Sequence, residues 1–137
     1  MRNMHVAALA MMLGLASVPV AAHHSGSMFE PEKTVTMTGV VKEFQYTNPH
    51  SWLIVTVAND DGTTSTWGFE AEGPSTLLRA GIRKSDFSPG TEITITGRPM
   101  RDGRTAAYWV NAVRASDGKE FNPGAGFQVE GADKGSF

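Results

Sequence analysis

Two-residue alternation is the dominant pattern along the chain. Residues 51–58 put Leu53, Val55 and Val57 on one side of an extended segment, and residues 92–97 do the same with Ile93 and Ile95. That period is the signature of a half-buried strand. A first strand is predicted over residues 34–46, where Val35 and Met37 alternate with Thr34, Thr36 and Thr38. Past Gly39 the apolar residues fall on even positions, at Val40, Phe44 and Tyr46, so a bulge or bend is expected at the glycine. Strands three and five are predicted over residues 63–70 and 106–115, and a short sixth strand around Phe121.

Turn residues punctuate these runs. Thr47, Asn48 and Pro49 separate strands one and two, because proline cannot donate to a ladder and asparagine favours turns. A three-residue loop over 60–62 places Gly62 at the left-handed position such loops require. Asn59 then pairs with Thr63, and Leu53, Val55 and Val57 face Phe69, Trp67 and Ser65. Burial of one face selects this register over its neighbours. A short helix is predicted over residues 74–80, capped by Ser75 and stopped by Gly81. Residues 86–90, 101–104 and 116–119 read as turns, and residues 122–137 as a flexible glycine-rich tail. Three strands, a helix and two strands predict an all-β fold with one short helix, a five-stranded OB-fold-like Greek-key barrel over residues 34–121. A plain β-sandwich usually needs about seven strands.

The amino terminus has a different character. Arg2 precedes residues 6–18 (VAALAMMLGLASV), which carry no charge, and Pro19 and Ala21-Ala22 follow. These are the three regions of a secretory signal, here residues 1–22. Such a run is too short for a bilayer span, which needs about 20 residues. A periplasmic or secreted product with no membrane segment after cleavage is expected, with residues 23–33 as an arm before the barrel. Hydrophobic residues make up 40% of the chain and charged residues 19%, a globular balance rather than a disordered one. A net charge of −2 argues against nucleic acid as partner. Without cysteine, disulfides, thiolate metal sites and a cysteine nucleophile are excluded.

Histidine carries the remaining chemistry. His23 and His24 would stand at the new amino terminus. Cleavage after Ala22 lets the His23 amine and imidazole chelate one ion, with His24 adding a nitrogen. Cleavage after Ala21 makes His24 the third residue, a pattern that wraps Cu(II) or Ni(II) in a square plane of nitrogens. His50 follows Asn48-Pro49 at the start of strand two, and the register sets it opposite Glu72, with Trp52 opposite Glu70. A carboxylate there can orient His50 or bind a metal itself. Ten residues separate His24 from Thr34, a reach of about 33–36 Å, so the arm meets His50 only by folding back, with Phe29 as its pin. Alternatively, His50 and Trp52 are turn and packing residues. A different ligand class would use Trp52 as a stacking surface, with Asn48, Arg101 and Arg104 on the flanking loops. No nucleophile elbow or phosphate loop is present, so an enzyme is not expected.

His23-His24-Ser25, Phe29, Thr38-Gly39-Val40-Val41, Asn48-Pro49-His50 and the segment from Pro89-Gly90 to Gly97-Arg98-Pro99 resemble those of a family of small exported bacterial proteins of unknown function. The resemblance spans residues 23–119. It implies an exported single-domain protein and carries no activity, cofactor or catalytic residue with it. The expectation is therefore a small exported binding module. Its metal site would be His23, His24 and His50, supported by Glu70 or Glu72, with copper or another transition metal as ligand. The alternative is an interaction module for a small organic ligand, a glycan or a partner protein.

Overall fold

A computed structural model describes residues 28–127. Its strands are β1 (Val35–Gln45), β2 (His50–Ala58), β3 (Thr64–Glu72), β4 (Glu92–Pro99), β5 (Ala106–Arg114) and the two-residue β6 (Glu120–Phe121). One helix, α1 (Pro74–Arg79), lies between β3 and β4. The strands follow the order β3-β2-β1-β4-β5-β6, and a parallel pairing of β3 with β5 closes the first five into a barrel. This is the expected OB-like closure.

The β2–β3 hairpin has the expected register. Leu53 pairs with Phe69, Val55 with Trp67 and Val57 with Ser65. Asn59 N–H donates to the Thr63 carbonyl, and Gly62 sits at φ +82°. The inward row of β2 is buried at Ser51, Leu53, Val55 and Val57. It meets Phe69 and Ala71 of β3, Ile93 and Ile95 of β4, and Ala107, Trp109 and Ala112 of β5 in one core. Phe44, Phe87 and Trp109 pack edge to face, with centroids 5.2–6.1 Å apart, an arrangement favoured by the ring quadrupoles.

Strand β1 bends differently from expectation. The inward phase runs on odd residues through Val41, and Val40 is exposed. The register shift lies between Val41 and Glu43, two residues beyond Gly39, and returns the inward phase to Phe44. Gly39 serves another purpose. It is the point where β1, paired with β4 over its first half, also takes up β2. A Cβ there would lie 2.5 Å from the Thr56 carbonyl oxygen and 2.6 Å from Val55 Cγ1. Glycine is required for close approach, and the bulge makes the phase change.

Three further differences are local. Gly73, not Ser75, precedes α1 as its cap residue, because Pro74 opens the helix and needs no N–H partner. Residues Lys84–Phe87 form a 3-10 turn, with Arg83 N–H donating to the Asp86 carboxylate. At the start of the predicted tail, Pro123–Phe127 is a 3-10 turn, and Arg79 Nε donates to the Gly126 carbonyl at 3.4 Å. No helix among the described residues is long and apolar enough to cross a membrane.

Candidate functional site

The outward row at one end of β2 and β3 gathers the polar candidates. Antiparallel pairing sets His50 opposite Glu72 and Trp52 opposite Glu70, so all four side chains share the face away from the core. Glu70 would be solvated on an open sheet. Here barrel closure gives it a neighbour on each side, Trp52 on β2 and Tyr108 on β5. It is only 3% exposed as a result.

A buried carboxylate needs a partner. Oε1 of Glu70 contacts Nδ1 of His50, whose side chain stays about one-third exposed. The other carboxylate oxygen is buried and has no hydrogen-bond partner among the described residues. An ionised carboxylate accepts and does not donate, so Nδ1 of His50 is the donor in this contact. Nε2 is the ring nitrogen that the contact leaves unused. This imidazole–carboxylate unit is the usual second contact of a metal-bound histidine.

Tyr108 extends the cluster. Its pKa is raised by burial first and then by the nearby Glu72 charge, so it stays a neutral phenol. Arg98, its cross-strand neighbour on β4, opposes that shift. The sequence pattern marks Tyr108 only as a strand residue, because its place beside Glu70 depends on the non-local β3–β5 pairing. OB-like closure was the available signal, but the register of that pairing was not readable.

The arm enters on this side of the molecule. Phe29 is 2% exposed and forms an isolated antiparallel bridge with Met100. Its ring lies 5.9 Å from that of Tyr108. Glu30 N–H donates to the Pro99 carbonyl, and Arg101 N–H to the Met28 carbonyl, both at 2.9 Å. The arm therefore runs against the β4–β5 hairpin as a short extra strand, with Phe29 as its plug.

The other candidates are placed as follows. Asn48, joined to Pro49 by a cis peptide bond, sits against Gly73, where a Cβ would lie 2.5 Å from Asn48 Oδ1. Trp52 lies over Gly68, where a Cβ would meet its ring at 3.2 Å, so the indole rests on the sheet. Arg104 pairs with Asp102 within its own turn at 2.7 Å, and Arg101 pairs with Glu30 of the arm at 3.7 Å. The two arginines are thus engaged by the hairpin and the arm. His23 and His24 lie outside the described residues. Among the described residues, no group of three or more His, Asp or Glu side chains is arranged to hold a metal ion.

No curated protein matches the chain, and no solved structure does. A family profile, described as a family of unknown function (DUF6152), matches residues 11–109, which take in the arm and the barrel as far as Trp109. The chain belongs to that family.

Proposed function

We propose that this chain is exported and binds a single transition-metal ion, copper foremost, between His50 and the two histidines of the arm. One observation carries this reading: a buried carboxylate holds His50 by Nδ1 and leaves Nε2 free, on the side of the barrel where the arm is docked. Burying Glu70 with one unpartnered oxygen costs stability, and a function for His50 accounts for that cost. The barrel offers one imidazole, so the remaining nitrogens come from His23 and His24, the latter five residues before Phe29. Imidazole and amine nitrogens favour Cu(II) and Ni(II), and the general affinity order puts copper above nickel.

The test is Cu(II) titration of the exported protein against a chelator of known affinity. His50→Ala is expected to weaken binding about 10-fold or more, and His23→Ala/His24→Ala to weaken it further, as loss of ligands requires. Affinity unchanged by both substitutions overturns the proposal. Trp52 rests against Gly68 with one ring face covered, so stacking of an organic ring is the weaker use of this surface.

A further inference from the structure

Closure of the barrel covers only part of β3. The strand pairs with β2 from Thr64 to Glu72, but among the described residues it pairs with β5 only at Gly68, Phe69 and Glu70. We infer that the open edge at residues 64–67 joins the same edge of a second copy of this chain, antiparallel, in a two-fold dimer. The dimer goes beyond the metal-binding reading and does not depend on it.

The ladder fixes which main-chain groups point out of that edge. Asn59 N–H donates to the Thr63 carbonyl. By antiparallel alternation, Thr63, Ser65 and Trp67 then turn their main-chain groups to β2, and Thr64, Thr66 and Gly68 turn theirs away. Gly68 N–H meets the Thr105 carbonyl at 3.1 Å, as this phase requires. Thr64 and Thr66 each present a donor and an acceptor on the open side. Natural edges are blunted by charge, proline or a bulge. Residues 64–67, Thr-Ser-Thr-Trp, carry neither charge nor proline, and their register with β2 is unbroken. Beside the gap, Trp67 packs against the core yet stays only half-buried, stacked on Phe69 at 6.3 Å.

Charge selects a second copy as the occupant. One end of the open edge runs into the turn that holds Asp60 and Asp61, both exposed. The other end meets Thr105, preceded by Arg104, whose side chain is 67% exposed beside Asp102. Arg101 adds a second positive charge to that hairpin. A two-fold axis through the edge reverses one copy, so each acidic turn faces the basic hairpin of the other. Such a contact is self-complementary, and every favourable pair in it occurs twice. Parallel pairing would set like charges against like, which is unfavourable. Opposite potentials at the two ends steer the copies into the antiparallel arrangement.

Sedimentation velocity of the purified protein, over concentrations up to about 500 μM, measures the association. A reversible dimer with a dissociation constant on the order of 10–100 μM is expected for so small and polar a contact. Thr66→Pro removes a donor on the open side and no ladder bond to β2, and is expected to weaken the dimer at least about 10-fold. Asp60→Arg is expected to weaken it about 3- to 10-fold, and Asp60→Arg/Arg104→Asp to return it to within about twofold of wild type. A wild-type protein that stays monomeric throughout overturns the inference. A dimer left intact by Thr66→Pro or by Asp60→Arg overturns it too, because the contact then lies elsewhere. So does a double reversal that associates no better than the single one. If Thr66→Pro does not fold, the charge reversals decide.

Discussion

At Glu70 the chain buries a carboxylate for which packing has no need. Removing one member of a buried pair is costly when the other is left buried and unpaired, but His50 is about one-third exposed and keeps its access to water. Glu70→Met is therefore expected to unfold at about the same denaturant concentration as wild type. The same change is expected to weaken Cu(II) binding about 10- to 100-fold by freeing the His50 ring. Urea melts and chelator competition on one preparation read both quantities. Lower stability would identify Glu70 as a structural ion-pair partner only.

Asp117 offers a cleaner electrostatic case away from the site. Hydrogen bonding to the Arg114 guanidinium, with the Lys119 N–H next, lowers its pKa to about 2. A carboxylate whose folded pKa is depressed contributes stability above its unfolded value, near 3.8, and loses it as pH falls towards 2. Asp117→Asn is expected to flatten the stability profile between about pH 4 and pH 2 and to leave its slope near neutrality unchanged. Thermal melts across that range check this. An unaltered acid limb would contradict it.

At the scale of elements, the β2–β3 hairpin was readable from the sequence because its information is local. Alternation, a positive-φ glycine and burial of one face select one register, and Asn59–Thr63 and Leu53–Phe69 follow. The bend in β1 was only half readable. Gly39 stands close to the phase change, yet the shift occurs between Val41 and Glu43, where no residue type announces a bulge. Gly39→Ala tests the distinction. Its Cβ would lie 2.5 Å from the Thr56 carbonyl oxygen, so a loss of about 1–3 kcal/mol is expected from overpacking. Lys42→Ala, on the exposed side of the bulge, is expected to stay within about 0.5 kcal/mol of wild type. Comparable losses for the two would put the constraint at the bulge instead.

Across the whole molecule, barrel closure decides what the candidate site can be. The order of strands and helix predicted the OB-like closure, but not that Tyr108 would come to rest beside Glu70 or that Phe29 would lie on Tyr108. Those contacts join residues 38 to 79 positions apart in sequence, and periodicity has no term for them. His50, Trp52, Glu70 and Glu72 were legible as one group because a single hairpin holds them all. The alternative site was not separable from this one by sequence. Asn48, Arg101 and Arg104 are loop residues of suitable chemistry, and their contacts with Gly73, Glu30 and Asp102 come only with the fold.

Native mass spectrometry of the exported protein, purified without chelators and given one equivalent of Cu(II), is the most direct measurement. The expected spectrum has a polypeptide beginning at Ala22 or His23, with one copper ion that is lost in the His23→Ala/His24→Ala/His50→Ala variant. A polypeptide that retains residues 1–22, or a wild-type spectrum without copper, would contradict it.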